Sequence, residues 1–90
     1  GFAMSKKYRG PAVEAAVSDW DISEWFTADQ LLPKAVEALP QRSCSITVYS
    51  VSRYLRLMAS KGLLRSRFNS SGLKEFAKVG GYDGDAHLYA

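Results

Sequence analysis

Between Ile46 and Arg67 the chain reads I-T-V-Y-S-V-S-R-Y-L-R-L-M-A-S-K-G-L-L-R-S-R, and few backbones accommodate that run. Val48, Val51, Leu55 and Met58 recur at 3-4-3 spacing, which sets four apolar side chains on one face of a helix. At roughly 100° per residue, the opposite face carries Tyr49, Ser50, Arg53, Arg56 and Ser60, with Arg53 nearest its middle. Lys61 and Gly62 then form a stop signal: a cation suits the carbonyl end of a helix, and glycine adopts the left-handed φ that closes it. The pattern predicts a helix over 46–61. From Leu63 to Phe68 the period changes to two, with Leu64, Ser66 and Phe68 on one side of a strand and Arg65 and Arg67 on the other. A helix with a polar, arginine-bearing outer face, leading into an arginine-edged strand, is suited to contact with an anion.

The charge distribution points the same way. Net charge is only +3, but residues 1–40 carry −2, residues 41–68 carry +6 with no acid at all, and residues 69–90 carry −1. The six cations of the middle segment are Arg42, Arg53, Arg56, Lys61, Arg65 and Arg67. A fold that gathers them on one side has the electrostatic footprint of a phosphate-backbone binder.

The remainder of the chain supplies a frame for that segment. Gly1–Ala3 ahead of Met4 reads as a tag remnant and 4–9 as a flexible basic arm, so the domain is expected over 10–90. Gly10-Pro11 opens a first helix, with Pro11 suited to the first helical position, and Val13, Ala16, Val17 and Trp20 give it one buried face. A short strand is expected at 24–26, where Trp25 and Phe26 suit a half-buried pleated surface. Thr27 with Gln30 forms a capping box at the start of a second helix that runs to about Leu39. Its inward positions are Ala28, Leu31 or Leu32, Ala35, Val36 and Leu39, and Pro33 is expected to kink or restart it. Pro40 ends it, and the polar turn 41–45 offers Ser43 or Ser45 as a cap for the third helix. After Phe68, the N-S-S-G run at 69–72 is a turn signal, and Leu73, Phe76 and Ala77 fit either a helical turn or a hairpin strand. Residues 79–85 read as a loop and 86–89 as a strand that returns to pair with 63–67.

Composition narrows the function classes. Ninety residues make one small domain of ordinary globular composition. No apolar run approaches the roughly 20 residues of a membrane span, and the single cysteine, Cys44, cannot form an internal disulfide, so a cytoplasmic setting is expected. One histidine, His87, and one cysteine leave no parts for a hydrolytic triad built on them or for a zinc site. Gly80-Gly81-x-x-Gly84 has no following lysine and is no phosphate loop. An enzyme is the weakest class, and no cofactor or metal is expected.

The order helix, short strand, helix, turn, helix, strand, loop, strand resembles the winged helix-turn-helix fold, an α+β, mainly α arrangement of three helices plus a small antiparallel β-hairpin wing. The likeness rests on F-T-A-D-Q-L-L at 26–32, on V-x-x-x-L-x-x-M-x-x-K-G-L-L-R-S-R from Val51, and on the closing H-L-Y-A, and spans roughly 11–90. It is similar to the small bacterial, phage and plasmid transcriptional regulators of that class. The resemblance implies sequence-specific binding of double-stranded DNA, with helix 46–61 in the major groove and wing and arm contacts to phosphates. Carried over residue by residue, Tyr49, Ser50, Arg53 and Arg56 face the groove. Arg42, Ser43, Ser45 and Thr47 at the helix start reach phosphates or base edges, and Arg65 and Arg67 line a long wing spanning 69–85. Two half-sites contacted by a homodimer would supply the contact area that a single small domain lacks. The alternative reading is a winged-helix protein-interaction module whose basic face docks an acidic partner.

Overall fold

In the computed structural model of the chain, residues 2–39 and 45–82 are described, with side chains from Arg9 to Leu39 and from Ser45 to Tyr82. Pro40, Arg42, Ser43, Cys44, His87 and the strand expected at 86–89 lie outside the described residues. The elements are α1 (Phe2–Asp19), α2 (Ala28–Glu37), α3 (Val48–Ser60), β1 (Leu64–Phe68) and β2 (Lys74–Lys78). Among the described residues, three helices and a two-stranded antiparallel hairpin make a mainly helical α+β fold, consistent with a winged-helix layout.

The helix ends follow local chemistry. Thr27 and Gln30 close the expected capping box on α2: the Gln30 amide donates to Thr27 Oγ1 at 3.2 Å, and the Thr27 amide donates to Gln30 Oε1 at 2.9 Å. α2 does not restart at Pro33; it continues to Glu37, since a missing N–H removes one bond from a helix held by its buried face, Leu31 and Ala35. Val36, expected inward, is 49% exposed, whereas Leu32 and Leu39 pack against the core. α3 ends as its K-G signal predicts. The Leu63 amide donates to the Met58 carbonyl and the Gly62 amide to the Ala59 carbonyl, each at 3.0 Å, with Gly62 at φ +80°. This pair of hydrogen bonds satisfies carbonyls that the helix itself leaves open. A Cβ at Gly62 would meet nothing within 4 Å, so only the backbone opposes a side chain there. Gly62→Ala is therefore expected to lose about 1 kcal/mol of stability, read as a lowered urea midpoint with an unchanged slope.

The start of α1 differs from expectation. The backbone is helical from Phe2, so 4–9 is not a loose arm and Pro11 is an interior residue rather than the first of the helix. Lys6, Lys7, Tyr8 and Arg9 are tolerated in helices, and the helix continues through Pro11 although its ring removes one backbone bond and crowds the carbonyl four residues earlier. Arg9 is also tied down, its Nε donating to the Ser45 carbonyl at 2.8 Å, which links α1 to the segment leading into α3. At the other end of α1 the buried Lys78 ammonium donates to the Ser18 carbonyl at 2.7 Å, a cation on the negative end of the helix. The Asp21 carboxyl just beyond is held below its ordinary pKa, first by the Ser23 amide and then by the Ser23 hydroxyl, with a smaller contribution from Lys78.

The wing is tighter than expected. β1 pairs with β2, from Leu64 opposite Lys78 to Phe68 opposite Lys74, so the first wing strand has a partner at 74–78. The open reading of Leu73–Ala77 resolves to a strand. Asn69 explains the short connection: its Oδ1 accepts from the Ser71 and Leu73 amides at 2.9 and 3.0 Å, and Gly72 takes the positive φ of +81° that the turn requires. The strand expected at 24–26 is a single bridge, Phe26 to Phe76, with reciprocal backbone bonds of 2.8 and 2.7 Å. β2 thus lies between Phe26 and β1.

One core lies beneath these elements. Val13, Ala16 and Val17 of α1, Leu31 and Ala35 of α2, and Val51, Leu55 and Met58 of α3 meet Phe26, Ile46, Leu64 and Phe76. Trp20, expected on the buried face of the first helix, is partly buried at the core margin, its ring 5.1 Å from that of Phe26. Val48 does not join the buried face; it is 38% exposed, and Ile46, two residues before the helix, is buried in its place.

Candidate nucleic-acid interface

α3 carries the outer face that its sequence predicts, on a helix anchored by its inner one. Val51, Leu55 and Met58 are fully buried, which fixes the rotation of the helix and turns Tyr49, Arg53, Arg56 and Ser60 to solvent. Tyr54 packs against the core and Leu57 is 37% exposed. The first turn differs in one respect: its cap is Thr47, not Ser43 or Ser45. Thr47 Oγ1 accepts from the Ser50 amide at 3.2 Å and lies 3.4 Å from Ser50 Oγ, so the Thr47 hydroxyl is committed to closing the helix. Ser45 is exposed, with its carbonyl bound by Arg9. Arg42 and Ser43 fall outside the described residues.

The expected contact residues divide into three groups. Arg53 and Arg56 line, with Tyr54 and Leu57, a shallow groove of about 410 Å³ along the outside of α3. Neither has an acidic partner among the described residues, so both guanidinium groups are available to a ligand. Tyr49 belongs to a second groove, of about 330 Å³, where the first turns of α2 and α3 meet the wing; Val48, Ser52, Leu73 and Lys74 line it as well. Tyr49 is 68% exposed, so its ring is not a buried cover for the helix pair. Near this groove the wing turn exposes Leu73 at 52% and Phe68 at 70%, with Lys74 Nζ 5.7 Å from the Phe68 ring centre.

Arg65 and Arg67 form the third group. They leave β1 on the side opposite Leu64, and they meet the indole of Trp25 at 5.1 and 3.9 Å from ring centre to guanidinium carbon. Arg67 Nε also bonds Glu75 Oε1 at 2.9 Å, directly across the hairpin. Sequence reasoning found the arginines but not Trp25, Glu75 or Arg9. The signal for Trp25 lies in strand alternation: if Phe26 faces the core, its predecessor faces the other side.

No protein-family model matches the chain, and no curated protein matches its sequence. Among the described residues, no group of three or more His, Cys, Asp or Glu side chains is placed to hold a metal ion. No described helix is long and apolar enough to cross a membrane.

Proposed function

We propose that the chain is a sequence-specific double-stranded DNA-binding protein of the winged helix-turn-helix type, acting as a transcriptional regulator. One observation carries the reading: the exposed face of α3 presents Tyr49, Arg53 and Arg56 without a single acid, on a helix whose opposite face is locked into the core. Arginine on such a face reads guanine O6 and N7 or grips phosphate through paired donors. Ser50 and Tyr49, near the start of the helix, add hydroxyl contacts, and the wing flanks them. A homodimer on two half-sites, working in the cytoplasm at the nucleoid, completes the proposal.

Fluorescence anisotropy of a labelled duplex, titrated with the protein at several salt concentrations, tests it. Binding is expected to weaken as salt rises, with a log–log slope of about −0.9 for each phosphate engaged. Absence of binding at low salt would sink the reading. The exposed Val48, Tyr49, Phe68 and Leu73 favour a second reading, a protein-interaction module, since apolar surface of this kind suits a protein partner. That module would show no duplex affinity at moderate salt.

A further inference from the structure

The cluster on the outer face of the hairpin holds more structure than a solvated basic edge needs. Arg65 and Arg67 are two residues apart on β1 and therefore share one side of the strand, where their register partners are Ala77 and Glu75. Ala77, opposite Arg65, is fully buried beneath this face of the hairpin. Phe26 is bridged to Phe76 and turned into the core, so Trp25, its neighbour in the chain, is thrown to the arginine side. Its half-buried ring lies 3.9 Å from the Arg67 guanidinium carbon and 5.1 Å from that of Arg65.

Glu75 occupies only the Nε edge of Arg67, at 2.9 Å. The terminal amino groups of Arg67 and the whole Arg65 guanidinium have no carboxylate partner among the described residues. Two cations against one carboxylate leave a local excess of one positive charge, which an incoming anion would neutralise. A free arginine loses much side-chain freedom when it grips an oxyanion; one already stacked on a ring and bonded at Nε has little left to lose.

We propose that Trp25, Arg65, Arg67 and Glu75 form a preorganised oxyanion site that takes a phosphate diester of the duplex backbone, with Trp25 and Glu75 as positioning residues for the two arginines. The site rests on the DNA-binding reading above and adds to it two residues that carry no positive charge.

Charge and position make opposite forecasts for one substitution, Glu75→Gln. It raises the net charge by one and keeps the side-chain shape. If Glu75 merely neutralises Arg67, the variant binds duplex as tightly as wild type or more tightly. If Glu75 positions Arg67, the variant binds more weakly, by about fivefold near 0.1 M salt, the scale of one phosphate contact. The experiment is anisotropy of a labelled duplex over a salt series with wild type, Glu75→Gln, Arg65→Gln and Trp25→Phe, each checked by circular dichroism and urea midpoint. Arg65→Gln is expected to flatten the log–log salt slope by about one, and Trp25→Phe, which keeps an aromatic face, to retain most of the affinity. Wild-type binding together with equal or tighter binding by Glu75→Gln overturns this site and leaves the DNA reading standing. Failure of the wild type to bind duplex overturns both. If the wild type then captures a labelled poly-glutamate peptide through Arg65, the cluster is a dock for an acidic protein.

Discussion

Phe26→Ala is expected to remove about 3–5 kcal/mol of folding stability, the range for deleting a large buried aromatic side chain. A domain of this size has on the order of 5–13 kcal/mol in all, so the variant would sit near its unfolding transition at physiological temperature. Three consequences of the position add up. The side chain is fully buried, with the Trp20 ring at 5.1 Å and the Phe76 ring at 6.3 Å, so its loss leaves a cavity bounded by two other rings. It also precedes the Thr27 cap, and it shares the core with Leu31, the fourth residue of α2, in the arrangement that fixes how a chain enters a helix. Its backbone is bonded in both directions to Phe76, which ties the hairpin to the helices. Urea unfolding followed by circular dichroism checks this. A loss below about 1 kcal/mol, the centre of the distribution for point mutants generally, would show that the ring cluster does not hold the hairpin and helices together.

Arg53→Ala is expected to weaken duplex binding by about 1–3 kcal/mol, roughly 5- to 150-fold, while changing stability by no more than about 0.5 kcal/mol, as for an ordinary surface substitution. The separation follows from geometry. Arg53 lies almost opposite the Val51, Leu55 and Met58 face, is exposed, and has no acidic partner among the described residues whose loss would disturb the fold. Titration against a panel of single-base operator variants, once an operator has been selected, tells base contact from phosphate contact. Relaxed preference at one position identifies a base reader, whereas equal loss on every duplex with a flatter salt slope reassigns Arg53 to the backbone. Unchanged affinity on all duplexes would remove α3 from the interface and turn attention to the apolar groove beside Tyr49.

Much of this was legible from short-range patterns, because the interactions concerned close within a few residues. The Thr27–Gln30 box, the Gly62 stop and the Asn69–Gly72 turn each depend on side chains and amides no more than four or five positions apart. The buried stripe of α3 is as local, since helical geometry alone puts Val51, Leu55 and Met58 together. Where short-range signals were degenerate, they failed. Ser43, Ser45 and Thr47 are all competent caps, and the choice of Thr47 follows from burial of Ile46, which carries the preceding chain into the core before the helix begins. Val48 then sits on the first turn at the rim rather than in the core.

The wing shows the same division. Leu73, Phe76 and Ala77 fit a helical turn or a strand by pattern alone, and a hairpin needing only residues 70–72 between Asn69 and Leu73 decides for the strand, because so short a closure costs little entropy. The sequence by itself determined the helices, their stops, the acid-free basic segment and the outward face of α3, because periodicity and capping act within a turn or two. Only the tertiary structure decided that 74–78 is a strand of the wing, that Arg9 and Lys78 are ties between elements, and that Arg65 and Arg67 gather on Trp25. Those outcomes join residues up to 60 positions apart, as Lys78 to Ser18 shows, and depend on which surfaces the packed core leaves side by side.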